Sequence, residues 1–186
     1  MIEEVRKTSF QETVKSIVEK IRQSQLEIFQ NANKSILDLY FYIGSIIEDN
    51  IEWGNKFIDE LSIELKIKFP NAKGYSPRNL RNMRKYYISV KDNIELKKMS
   101  YTIPWSHNTI IMDRIKDEKQ KMWYIKETYN NGWSYDYLEV QIKRDAYSRQ
   151  TLGEKPNNFN LTFLKSQSSL AKEIMKDPYI FDVGEL

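Results

Sequence analysis

Basic side chains cluster between residues 71 and 91, and this window is the part of the sequence best suited to binding chemistry. The window contains no acidic residue and six cations, namely Lys73, Arg78, Arg81, Arg84, Lys85 and Lys91. The formal charge of the whole chain is only +3, so the rest of the sequence is close to balanced. A local excess of this kind predicts contact with a polyanion, and a short basic helix is a common means of reading nucleic acid.

The spacing of this window predicts a helix with one packing face and one basic face. Gly74 can supply a turn, Ser76 is a good N-cap, and Pro77 suits the first helical position. At 100° per residue the packing face contains Leu80, Met83, Tyr87 and Val90, with Tyr86 at its margin. The opposite face contains Arg78, Arg81 and Lys85 beside Asn82, with Arg84 on the flank.

The basic face has three interpretations. Arginine can bind guanine edges or phosphate in a bidentate manner, asparagine can pair with adenine, and lysine contacts phosphate. The same face could instead be simply solvated, although solvated helix faces usually mix both signs of charge. An acidic protein partner is the third possibility.

Hydrophobic periodicity predicts an all-α protein that forms a single domain over residues 1–186. The long first segment could be one helix or, with a break at residues 31–34, a hairpin. Residues 91–104 read as a polar loop or a small wing, and residues 168–176 as a last helix. Phe159, Leu161 and Phe163 alternate as in a short extended segment. The predicted units are a long helix or hairpin over 10–50, a helix-turn-helix over 55–90, a second over 105–149, and a loop with a C-terminal helix over 150–186.

An internal repeat supports the two helix-turn-helix units. GYSPRNLRNMRK (74–85) and GWSYDYLEVQIK (132–143) share Gly, an aromatic residue, Ser, Leu and Lys at equal offsets. Predicted helices cover 117–130 and 134–149, and Gly132 between them reads as a helix stop. The charges of the second window, residues 132–149, sum to zero, so base reading is assigned to the first copy only.

Nothing in the sequence predicts catalysis by this chain. There is no cysteine, and His107 is the single histidine, so no metal site or cofactor is expected. Two Glu-x-Lys pairs, Glu64–Lys66 and Glu95–Lys97, match half of a metal-dependent nuclease motif, but neither has the strand scaffold that such a site needs. The lack of cysteine and of any long apolar run fits a cytoplasmic protein without a membrane span.

Several blocks together resemble one bacterial family. They are LYFYIGSIIEDNIEWGNKFIDELSIELKIKFPNAKGYSPRNLRNMRKYY (39–87), IPWSHNTIIMDRIKD (103–117), WYIKETYNNGWSYDYLEVQI (123–142), NNF (157–159) and KDPYIFD (176–182). The chain is similar in these blocks to the N-terminal domain of the YhcG-like (DUF1016) proteins, which precedes a PD-(D/E)xK nuclease domain. The resemblance implies a helical, DNA-binding domain with Arg78, Asn79, Arg81 and Arg84 in its signature helix. No nuclease domain follows the last block here, whether through truncation, engineering or a natural stand-alone form.

The sequence therefore predicts a DNA-binding module, for double-stranded DNA, that targets a nuclease supplied elsewhere. The candidate DNA-binding residues are Arg78, Asn79, Arg81, Asn82, Arg84 and Lys85. The alternative is a protein-interaction or homodimerisation module that acts through the long helix 10–50 and the four tryptophans. The two hypotheses are compatible, because many helix-turn-helix proteins bind DNA as dimers.

Overall fold

The computed structural model describes residues 2–50, 52, 54–151, 170–171 and 173–174. The described part is all-α, which confirms the predicted fold class, and it contains no strand. The helices are α1 (Ile2–Asp49), α2 (Gly54–Lys68), α3 (Pro77–Val90), α4 (Ile94–Ser100), α5 (Trp105–Arg114), α6 (Glu118–Asn131), α7 (Tyr135–Lys143) and α8 (Ala146–Thr151). The predicted extended segment around Phe159 lies outside the described residues. Residues 170, 171, 173 and 174 are helical, in agreement with the predicted last helix.

Helix α1 is continuous. The prediction of a single long helix in this part of the chain is therefore right, and the alternative of a hairpin is wrong. Its 48 residues span about 72 Å at about 1.5 Å per residue. At the position of the suspected break, Asn33 is fully buried and its Nδ2 donates to the carbonyls of Tyr101 and Ile103 at 2.8 and 2.9 Å. The polar residue that suggested a break therefore joins α1 to the chain segment just before α5 through hydrogen bonds.

The C-terminal half of α1 packs against α3, and this contact forms the centre of the core. The two helices approach closely at Gly44, where a Cβ atom would lie 2.3 Å from the carbonyl oxygen of Met83. Only glycine permits this approach, because the obstructing atom belongs to the backbone of α3. Beside it, the rings of Phe41 and Tyr87 meet edge to face with centroids 4.9 Å apart.

Helix α3 begins as predicted. The Ser76 hydroxyl accepts a hydrogen bond from the Asn79 backbone N–H, and Pro77 occupies the first turn. Leu80, Met83 and Val90 are buried as expected, but the burial of the two tyrosines is the reverse of the prediction. Tyr86 is buried, with its hydroxyl paired to Ser100, whereas Tyr87 is only partly buried. The aromatic core reaches further round α3 than the helical wheel suggested, because α5 packs there as well as α1.

The predicted polar loop at 91–104 contains α4, which corrects that prediction. Asn93 caps the helix by accepting from the Leu96 N–H at 2.9 Å, and Leu96 and Ser100 are fully buried. Seven residues give too short a hydrophobic pattern to identify from sequence.

The predicted helix 134–149 is likewise two helices, α7 and α8, separated by a turn. Asp145 lies in the left-handed region with φ of 47°, which interrupts the helix. The predicted stop at Gly132 is confirmed, with φ of 60° at the C-cap of α6. The repeat also has a structural counterpart, because Ser76 and Ser134 cap α3 and α7 in the same way and each is followed four residues later by a fully buried leucine.

Candidate nucleic-acid interface

The outward face of α3 forms one wall of a groove, and α5 with the first residue of α7 forms the other. The groove has a volume of about 290 Å³. Its lining includes four basic side chains and one carboxylate. The residues that line it are Arg78, Arg81, Asn82, Lys85, Thr109, Ile110, Asp113, Arg114 and Tyr135. Four of the six sequence-predicted residues therefore share one concave surface.

Asn79 is not part of this surface, which corrects its assignment as a DNA contact. It is 3% exposed, its Nδ2 donates to the Gly74 carbonyl at 2.6 Å, and its Oδ1 accepts from Trp105 Nε1 at 2.9 Å. Both the donor and the acceptor group of the Asn79 amide are therefore occupied by hydrogen bonds inside the protein. Asn79 fixes the start of α3 to the start of α5, and so sets the distance between the two walls of the groove.

The wall formed by α5 is held from below by two further buried polar residues. Asn108 Nδ2 lies within hydrogen-bond distance of the carbonyls of Ser100, Ile103 and Pro104, at 2.9–3.2 Å. These contacts tie the first turn of α5 to the end of α4 and to the connection between the two helices. The block IPWSHN therefore contributes structure to the groove and not surface chemistry.

His107 joins this wall to the α6–α7 connection. Its Nε2 donates to the Trp133 carbonyl at 2.9 Å, and its ring meets Tyr135 edge to face. Burial lowers the pKa of His107, while the Trp133 carbonyl and the charge of Glu173 act in the opposite direction. A neutral imidazole that donates from Nε2 is a structural group, because no open surface reaches it.

Three of the groove cations contact carboxylates, and the contacts of Arg114 with Asp113 and with Glu139 of α7 are the longest, at 4.0 Å. Arg81 Nη2 lies 3.2 Å from Asp59 Oδ1 of α2, and Lys85 Nζ lies 2.5 Å from Asp113 Oδ1 of α5. The hydrogen bond from Lys85 is the main cause that lowers the pKa of Asp113. The side chains of both pairs are 42–55% exposed. Pairs this exposed are worth about 0–1 kcal/mol, so an incoming phosphate can displace the carboxylate at small cost.

Arg84 lies on another side of α3. Its Nε donates to Glu48 Oε2 of α1 at 2.6 Å, and both side chains are about one-third exposed, at 32% and 29%. This pair joins the two helices that form the core contact. Arg84 is therefore placed to stabilise α1 against α3, and it does not line the groove.

Arg78 lies at the mouth of the groove and is exposed. Among the described residues no carboxylate lies within 4.0 Å of its guanidinium, although its charge contributes to lowering the pKa of Asp113. Sequence reasoning missed Arg114 and Tyr135. Arg114 lies 23 residues beyond the end of the basic window, and Tyr135 belongs to the repeat copy to which no base reading was assigned. Only the packing of α5 and α7 beside α3 brings them together.

The described residues contain no group of three or more His, Cys, Asp or Glu side chains that could hold a metal ion. In the same part of the chain, no helix is long and apolar enough to cross a membrane.

A model of the DUF1016 N-terminal domain family matches residues 16–149, which run from within α1 to within α8. The chain belongs to this family. It is also similar to an Escherichia coli (strain K12) protein named "Putative nuclease YhcG", with 22% identity over 214 aligned positions. The alignment covers 95% of this chain and 56% of that relative, so the chain spans little more than half of its length. No solved structure matches the chain.

Proposed function

We propose that this chain is a nucleic-acid-binding module, for double-stranded DNA, that serves a nuclease of its family. The observation that supports the proposal best is the groove between α3 and α5, in which four cations face one carboxylate. A relative named as a nuclease is consistent with a nucleic-acid partner. In this proposal the chain positions the nuclease and performs no cleavage itself.

The groove residues have distinct proposed roles. Arg78, Arg81, Lys85 and Arg114 contact phosphates, because guanidinium and ammonium groups bind phosphate oxygens with charge-assisted hydrogen bonds. Asn82 is the one amide in the lining, and it is suited to a base edge. Tyr135 is 39% exposed, so its ring can pack against a sugar or an unstacked base.

The test is a salt titration of binding to a short fluorescein-labelled duplex, followed by fluorescence anisotropy. Four phosphate contacts predict that log K falls with log salt at a slope of roughly −3.6. The double variant Arg78→Ala/Arg114→Ala removes two contacts, so its slope should be roughly −1.8 on the same basis. Labelled single-stranded DNA and RNA of the same length measure whether the groove prefers a duplex.

A matched control removes two positive charges outside the groove. Lys98 of α4 and Lys126 of α6 are exposed and do not line it, so Lys98→Ala/Lys126→Ala should keep the slope of the unaltered protein. Equal losses in both double variants would mean that net charge, and not the groove, attracts the polyanion. A slope near zero for the unaltered protein would contradict the proposal outright.

A further inference from the structure

The N-terminal half of α1 carries an apolar stripe that nothing in the described part of the chain covers. Every residue from 10 to 23 is exposed. The large apolar side chains of the stripe are Phe10, Val14, Ile17, Ile21 and Ile28, which are 69%, 42%, 54%, 52% and 64% exposed. A stripe this long on the surface of a protein usually marks a contact with another molecule.

This stripe is separate from the face that α1 turns to its own core. Leu26 and Phe29 are partly buried, and Asn33, Leu37 and Tyr40 are buried, so these residues mark the inward face. At about 100° per residue, the inward face lies roughly a third of a turn from the exposed stripe. The stripe is therefore not a continuation of the core, and the packing of α1 within the described part of the chain leaves it open.

The spacing of the stripe indicates what covers it. Successive members are four, three, four and seven residues apart, which is a heptad repeat with Phe10 and Ile17 at d and Val14, Ile21 and Ile28 at a. A repeat of 3.5 residues is the pattern of a helix that supercoils with another helix. Between Phe10 and Ile28, Ser24 is the one polar residue in this a/d series, and its continuation to residue 35 adds Asn31 and Ser35. The occupant is therefore a helix with a similar apolar seam.

The charges beside the stripe favour a second copy of this chain. Residues 10–30 contain three acidic and three basic side chains, so two such segments do not repel each other. The charged residues are Glu12, Lys15, Glu19, Lys20, Arg22 and Glu27. The positions that flank the seam decide the direction, because Lys20 and Glu27 both occupy g.

We propose that two copies of this chain associate through an antiparallel coiled coil of residues 10–35. In this register Ile17 lies opposite the partner's Ile28. Lys20 lies opposite the partner's Glu27 in two symmetric pairs along the one edge of the seam where the g positions of both helices meet. A parallel arrangement would instead set Lys20 against the partner's Gln25 and would form no pair of opposite charge. Of the interaction surface that the sequence suggested, this site uses the long helix and not the tryptophans Trp105 and Trp133, which are buried.

The first test is the mass of the purified full chain in solution, measured by light scattering and sedimentation over a series of micromolar concentrations. The unaltered protein should be dimeric, and Ile17→Asp/Ile21→Asp should be monomeric. Both side chains are more than half exposed in the protomer, so circular dichroism should still show a folded helical protein. The matched control is Ile63→Asp/Ile67→Asp on α2, where two isoleucines of similar exposure, 59% and 64%, lie outside the seam. It should remain dimeric.

The second test reads the direction of the helices. Lys20→Glu places like charges together in both of the symmetric pairs along the antiparallel seam, so the dimer dissociation constant should rise roughly fivefold. Adding Glu27→Lys restores opposite charges and should recover the original constant. A monomeric unaltered protein, a dimer that survives Ile17→Asp/Ile21→Asp, or a dissociation constant that Lys20→Glu leaves unchanged would each overturn the proposal. None of these measurements involves DNA, so their result is independent of the proposed function.

Discussion

Asp113 is the carboxylate whose replacement tests the proposed groove most directly. It holds Lys85 at 2.5 Å, and it is the one acidic residue in the lining. The pKa of Asp113 is lowered, so the side chain is ionised at neutral pH and repels an incoming phosphate. A phosphate that binds Lys85 would lie roughly 5 Å from Asp113, where Coulomb's law in water gives about 0.8 kcal/mol of repulsion. Asp113→Asn removes this repulsion and should strengthen duplex binding about fourfold at low salt.

The assay is the anisotropy titration with the labelled duplex, run for Asp113→Asn and for Asp92→Asn. Asp92 is exposed and outside the groove, and its replacement changes the net charge of the chain by the same amount. The gain for Asp113→Asn should shrink as salt rises, since the Debye length is about 10 Å at 0.1 M. Weaker binding by Asp113→Asn, or equal gains for both variants, would refute the role of the groove.

Three further predictions concern the elements that hold the groove. Gly44→Ala should lower the free energy of unfolding by about 2 kcal/mol in urea titrations, because the clash with the Met83 carbonyl outweighs the better helix propensity of alanine. The folded pKa of His107 is lowered below its unfolded value of about 6.5, so its contribution to stability is complete above that pH and is lost as the pH falls below it. His107→Gln should remove that part of the pH dependence of the melting temperature, and a slope between pH 5 and 7 equal to that of the unaltered protein would contradict the argument. Arg84→Ala should destabilise the chain by about 1 kcal/mol through loss of its ion pair, whereas Arg78→Ala should change stability by less than about 0.5 kcal/mol.

Local signals in the sequence predicted local structure well. Ser76 with Pro77 marked the start of α3, and Gly132 marked the end of α6, because capping and positive φ depend on a few adjacent residues. The short helix and the helix break were not predicted, because they lack such adjacent signals. Helix α4 has too few turns to show a period, and the break at Asp145 has no glycine or proline to announce it.

The composition of the groove could not be predicted from its own window. The acidic partners of Arg81 and Lys85 lie 22 and 28 residues away in sequence, on α2 and α5. A count of charges along one segment misses these residues, because they reach the basic face only through tertiary packing. For the same reason the count assigned Arg84 to the binding surface, although packing of α1 provides Glu48 as its partner.

The most recognisable residues of the blocks GYSPRNL (74–80) and IPWSHN (103–108) direct their polar groups inward. Ser76 caps a helix, Asn79 joins Trp105 to a turn carbonyl, and the amide nitrogen of Asn108 lies within hydrogen-bond distance of three further carbonyls. These residues set the positions of α3 and α5 and make no surface contact themselves. The chemistry of the groove instead belongs to less distinctive arginines and lysines, which a motif cannot distinguish from ordinary solvated charge.

The two proposals constrain each other through α1, which provides one face to the core beside α3 and another to the proposed partner. An antiparallel dimer carries two grooves, and both belong to one rigid assembly only if α1 stays continuous between them. Binding to a long duplex should then show avidity, with a salt slope steeper than that of one groove, whereas a short duplex should engage one groove at a time. The variant Ile17→Asp/Ile21→Asp separates the avidity of the dimer from the affinity of a single groove, because it removes the avidity while each protomer retains an intact groove. A loss of binding to the short duplex in that variant would show that α1 acts on the groove itself and not only through a second copy.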